Sequence, residues 1–122
     1  MGKGTLIGES LRRGADIGGV VLQVTRIRRT EAGDVLAGQP GDWTMIDFEM
    51  DDHRAELLAA TIQGALAPTG GWYCDFRTAT ETFVVFPDQV FRYRRGDTEA
   101  RTVAESHGRV RGVPEAQLDW PE

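Results

Sequence analysis

The chain holds one cysteine, Cys74, one lysine, Lys3, and two histidines, His53 and His107. A lone cysteine cannot close an internal disulfide, which excludes a disulfide scaffold and makes a reducing compartment, the cytoplasm, the expected location. Cys74 and two histidines far apart in sequence supply no metal-ligand spacing, and no cofactor-binding motif takes their place, so no metal or cofactor is expected. Long apolar runs are missing as well. None approaches the roughly 20 residues that cross a bilayer, and the N-terminal segment lacks the apolar stretch of a signal peptide. It also lacks a myristoylation signal, which wants Ser or Thr where this chain has Leu6. Positive charge is in deficit, with 14 basic against 19 acidic residues, a net charge of -5 and a pI near 5.0. That balance argues against nucleic acid as a partner, as the missing apolar runs argue against a membrane.

What remains is an ordinary globular composition, 40% hydrophobic and 27% charged over 122 residues, which predicts one domain spanning residues 1–122. Glycines fall between apolar runs and read as turn punctuation. Thr5 to Arg12 and Val20 to Arg29 predict two strands joined by an irregular hairpin. Ile27 breaks the alternation of the second, as a bulge or a far end covered on both sides would. Thr30 to Asp42 is polar and glycine-rich, with Val35 and Leu36 as its apolar anchors, and reads as the longest loop.

Trp43 to Met50 alternates as a strand, with Thr44, Ile46, Phe48 and Met50 on one side and Trp43, Met45, Asp47 and Glu49 on the other. Asp51 or Asp52 caps a helix to about Leu66, in which Ala55, Leu58, Ala59, Ile62, Ala65 and Leu66 recur at helical spacing. Strand, helix and the next strand predict a βαβ crossover. Trp72 to Thr78, Glu81 to Phe86 and Gln89 to Arg94 then form a meander with short links. A second helix runs from an Asp97 cap to about His107, with Gly108 as its C′ residue. Leu118 and Trp120 predict a docked C-terminal tail. The fold class expected is α+β, a mostly antiparallel sheet of five to six strands with two helices packed on one face.

Candidate chemistry gathers around Gly70 to Phe86. Alternation places Cys74 with Trp72 and Phe76 on an apolar side, where an unpaired cysteine acts as a small hydrophobe. Tyr73, Asp75 and Arg77 lie on the opposite side. Asp47 and Glu49 join them if the crossover strands are neighbours, with Arg92 and Arg94 extending the group. Two carboxylates beside arginines and a tyrosine suit a polar ligand or acid-base chemistry, and equally a cross-strand charge ladder on a wet face. His53 and His107 read as solvated or capping residues. Arg95-Gly96-Asp97 spells an integrin-recognition tripeptide, but Asp97 is needed as a cap. Gly2-Lys3-Gly4-Thr5 lacks the strand and helix that frame a phosphate-binding loop.

The segments Gly4 to Arg12, Gly70 to Arg77 and Val113 to Glu122 together resemble small uncharacterised proteins of high-GC actinobacteria. The resemblance implies a stand-alone domain of the bacterial cytoplasm and assigns no residue a role. In size and acidic charge the chain is also similar to immunity proteins that neutralise a partner toxin. The expected function is a non-enzymatic protein-binding module, of inhibitor or immunity type, with Trp43, Asp47, Glu49, Tyr73, Asp75 and Arg77 as contacts. Two alternatives stand beside it. One is a small-molecule binder or weak enzyme with a pocket between the sheet and the 30–42 loop, and the other is a homodimer through the exposed sheet face.

Overall fold

The computed structural model describes residues 1–32 and 38–121, so Val35, Leu36 and Glu122 lie outside the described residues. Six strands, β1 (Gly2–Ile7), β2 (Gln23–Glu31), β3 (Asp42–Met50), β4 (Cys74–Arg77), β5 (Glu81–Val85) and β6 (Val90–Arg94), form one sheet in the order β2-β3-β1-β4-β5-β6. Every pairing is antiparallel. Two helices, α1 (Ala55–Ala65) and α2 (Thr98–Val110), complete the α+β fold expected from the sequence. No helix among the described residues is long and apolar enough to cross a membrane.

Two pairings differ from the sequence-based expectation. β1 and β2 do not form a hairpin, because β3 lies between them, and the bulge falls between Val24 and Arg26 rather than at Ile27. The strands joined by α1, β3 and β4, are not neighbours either. β1 is inserted between them and runs antiparallel to both. The N-terminal strand suits that central place because Gly4 has no side chain: a Cβ there would come within 2.5 Å of Phe76 Cβ and 2.9 Å of Phe48 Cζ. The bare backbone lets Phe48 and Phe76 approach across it, with ring centroids 6.4 Å apart.

The period-2 pattern of the strands divides the apolar residues between two faces. Leu6, Phe48, Met50, Cys74, Phe76, Phe83 and Val85 point to one face, where Ala55, Leu58, Ala59 and Ile62 of α1 cover them. Asp51 caps the turn that leads into α1, accepting from the His53 amide at 2.9 Å. The alternate residues Tyr73, Val84, Phe91 and Tyr93, joined by Phe86 just beyond β5, point the other way. They pack under Ala100 and Ala104 of α2 and under Val113, Leu118 and Trp120 of the tail. The helices therefore lie on opposite faces and not together on one, because β5 and β6 carry apolar side chains at consecutive positions and need cover on both sides.

Asp97 caps α2 through the Ala100 amide at 3.1 Å. The helix continues past Gly108 to Val110, so Gly108 is not its C′ residue. Gly108 instead marks where the tail crosses the helix, since a Cβ there would come within 2.7 Å of Leu118 Cδ2.

Candidate functional site

On the face opposite α1, the cover given by the described residues stops at β4. The tail lies along that boundary, fixed by Trp120, whose indole Nε1 donates to the Tyr93 hydroxyl at 2.8 Å and whose ring packs edge-on to Tyr73 at 5.4 Å. The Arg101 guanidinium of α2 stacks over the indole ring at 5.1 Å. The tail thus forms a wall, and the uncovered floor of β1 and β3 beside it becomes a groove with two adjoining hollows. Thr5, Met45, Asp75 and Asp119 belong to both.

The first hollow, about 430 Å³, is enclosed by Trp43, Trp72 and Tyr73, by the end of β2 at Thr30 and Glu31, and by Gln117 of the tail. Gly70 and Gly71 adopt φ of 101° and 70°, a left-handed turn open to glycine. The chain leaves this turn two residues before the β4 ladder begins, so the alternation that assigned Trp72 to the Cys74 side does not reach it. Trp72 packs instead against Trp43, with ring centroids 5.4 Å apart and planes tilted by 57°. The end wall is fastened by hydrogen bonds. Gln39 Nε2 donates to the Gly70 carbonyl at 2.6 Å, Gln117 Nε2 donates to Gln39 Oε1 at 3.3 Å, and the Tyr73 hydroxyl donates to the Gln117 carbonyl.

The second hollow is a run of paired charges along the same floor, lined by Lys3, Arg28, Asp47, Glu49 and Arg77 among others. Thr5 stands opposite both Asp47 and Asp75 in the ladder, and its hydroxyl donates to Asp47 Oδ1 at 2.7 Å. Arg28 reaches the same carboxylate at 3.6 Å. Lys3 stands between Glu49 and Arg77. This part is the cross-strand ladder that the alternation anticipated.

All six residues singled out from the sequence therefore share one groove, although β1 separates Asp47 and Glu49 from Tyr73, Asp75 and Arg77. Trp43, Tyr73 and Asp75 line the first hollow, and Asp47, Glu49, Asp75 and Arg77 the second. Arg92 does not extend the group. It faces α1, donates twice to Glu81 at 2.8 and 2.9 Å, and lies 3.5 Å from Glu56. Arg94 shares that parity on β6. His107 sits outside the groove, 3.0 Å from Asp88 and in contact with the Phe86 and Phe91 rings.

Sequence reasoning missed Thr5, Trp72, Asp119 and Gln117. The central place of β1 and the path of the tail have no local signal, since both are set by long-range pairing.

Electrostatics single out Asp75. Burial, and after it the Asp119 carboxylate, pushes its carboxyl from 3.8 up to about 6, against the lowering influence of Arg77. The same burial, with the charges of Asp75 and Asp119, pushes the Tyr73 phenol well above its ordinary range, so it stays a hydrogen-bond donor. Cys74 lies on the α1 side. Burial and the nearby Asp75 push its thiol up, which keeps it neutral and a poor nucleophile. Among the described residues no cluster of His, Cys, Asp and Glu could hold a metal ion. Searches of protein families, curated proteins and solved structures found no match to this chain.

Proposed function

We propose that the protein binds a small molecule in the first hollow. The observation that carries this reading is its concave shape: about 430 Å³ between two indoles, a phenol and a half-buried carboxyl, within the usual range for ligand pockets. A protein partner engaging a sheet face would more naturally meet a flat surface. Here the tail and the end of β2 rise on either side of the floor. Asp75 adds a polar group able to change protonation near neutrality, and Trp43, Trp72 and Met45 add apolar and aromatic wall.

Titration of the isotope-labelled protein with a fragment library, followed by backbone NMR shifts, tests this reading. Fragments should perturb the amides of Thr5, Trp72, Tyr73, Asp75 and Gln117, and Trp43→Ala should weaken them while the rest of the spectrum stays native. Perturbations confined to other surfaces, or none at all, would overturn it.

A second reading, a protein-binding module of inhibitor or immunity type, draws on the second hollow. Its alternating Lys3, Arg28, Asp47, Glu49 and Arg77 offer a patterned charged surface to a complementary partner. Charge reversal at Glu49 together with Arg77 would weaken such a partner and leave fragment binding in the first hollow intact.

A further inference from the structure

We infer that the first hollow selects a small organic cation, an ammonium group carried on a compact apolar body. This rests on the small-molecule reading above and names the ligand class. Three carboxyl-bearing residues, Glu31, Asp75 and Asp119, line the hollow, and no lysine or arginine lines it among the described residues. The adjoining hollow shares Asp75 and Asp119 but balances its acids with Lys3, Arg28 and Arg77, so it is in the first hollow that the carboxyls stand without a basic side chain in the lining.

Acids alone would not define a ligand, but these stand beside aromatic walls. The Trp43 and Trp72 rings form a tilted corner, and Tyr73 closes the side next to Asp75. Ring faces attract a cation and its attached carbon groups, and partial removal from water strengthens that attraction. Asp75 and Asp119 repel each other when both are ionised, and an ammonium between them would relieve that repulsion. Ile7 and Met45 supply apolar surface for the rest of the molecule.

The charged and titratable groups around Asp75 come from every neighbouring element. Tyr73 immediately precedes its strand and Arg77 ends it, with Lys3 and Asp47 on β1 and β3, Tyr93 on β6, Arg101 on α2 and Asp119 on the tail. Arg77 belongs to the second hollow and Arg101 stacks on Trp120, so neither cation enters the lining of the first.

Three probes sharing one phenyl ring test the inference on the full chain: 2-phenylethylamine, the neutral 2-phenylethanol and the anion phenylacetate. At neutral pH the amine should shift the Thr5, Tyr73, Asp75 and Gln117 amides and bind roughly tenfold more tightly than the alcohol, with phenylacetate weakest. The advantage should shrink at about pH 4.5, where Asp75 is protonated. Asp75→Asn, checked for a native spectrum, should abolish most of the amine's advantage over the alcohol. Equal or tighter binding of the alcohol or of phenylacetate in the hollow would overturn cation selectivity while leaving a small-molecule site in place. If neither these probes nor any library fragment moves the groove amides, both readings fall.

Discussion

The face of the sheet opposite α1 has two halves that differ in cover. Over β4, β5 and β6 it is sealed by α2 and the tail around Val84, Phe86, Tyr93 and Trp120. Over β1, β3 and β2 the described residues leave the same face open, and it carries Lys3, Thr5, Asp47 and Glu49. One half is held by apolar burial, which is worth much per side chain, and the other by exposed pairings, which are worth little. The groove lies at the boundary, where Asp75 is buried enough to be perturbed and open enough to meet a ligand. A site with a shifted carboxyl needs both conditions, and neither half supplies them alone.

Removing the seal should have the largest effect. Trp120→Ala deletes the indole between Tyr73, Arg101 and the Tyr93 hydroxyl. It should cost about 4 kcal/mol in urea unfolding, in line with other buried tryptophans. A loss below about 1 kcal/mol would show that the tail does not close this half.

At the boundary the sign reverses. Asp75 has a folded pKa of about 6 against an ordinary 3.8, so the folded state binds more protons between those values and stability falls as pH rises through that window. Below it the carboxyl is neutral in both states and costs nothing. Above it the penalty is complete. Asp75→Asn should therefore stabilise the protein by about 2 kcal/mol at slightly alkaline pH, after allowance for partial exposure, and by almost nothing at about pH 3. Thermal unfolding at the two pH values checks this, and equal gains at both would remove Asp75 as a strained ionised group.

Tyr73→Phe keeps the ring between Phe86 and Trp120 but loses the hydrogen bond to the Gln117 carbonyl. A loss of about 1 kcal/mol is expected, with faster hydrogen exchange in the tail as the local readout. The smallest effect belongs to the open half. Asp47→Ala gives up the Thr5 hydrogen bond and the 3.6 Å Arg28 pair, and should cost about 0.5 kcal/mol and be weaker still at high salt. A cost near that of Trp120→Ala would erase the distinction between the halves.

Much of this was legible in the sequence where the signal is periodic. The alternation of Trp43 to Met50 separated Ile46, Phe48 and Met50 from Trp43, Met45, Asp47 and Glu49, as the structure does. Helical spacing picked the buried stripe of α1, and Asp97 was identified as the α2 cap. Periodicity failed where the element was shorter than the pattern. Trp72 precedes the ladder and follows a glycine turn, so its side was decided by Gly70 and Gly71 and not by its parity with Cys74. It failed again for the helices, because consecutive apolar residues in β5 show that both sides are covered without showing by what.

The sequence by itself determined the class of fold, the extent of most elements and the two sides of each central strand, because those follow from local propensity and from the two-residue period of a strand. The tertiary structure alone decided that β1 lies between β3 and β4, that α1 and α2 take opposite faces, and that the tail turns an exposed ladder into a groove. These are contacts between distant residues, such as Thr5 with Asp47 and Trp120 with Tyr93. Their energy comes from surfaces that exist once the sheet has formed, so no local stretch of sequence encodes them.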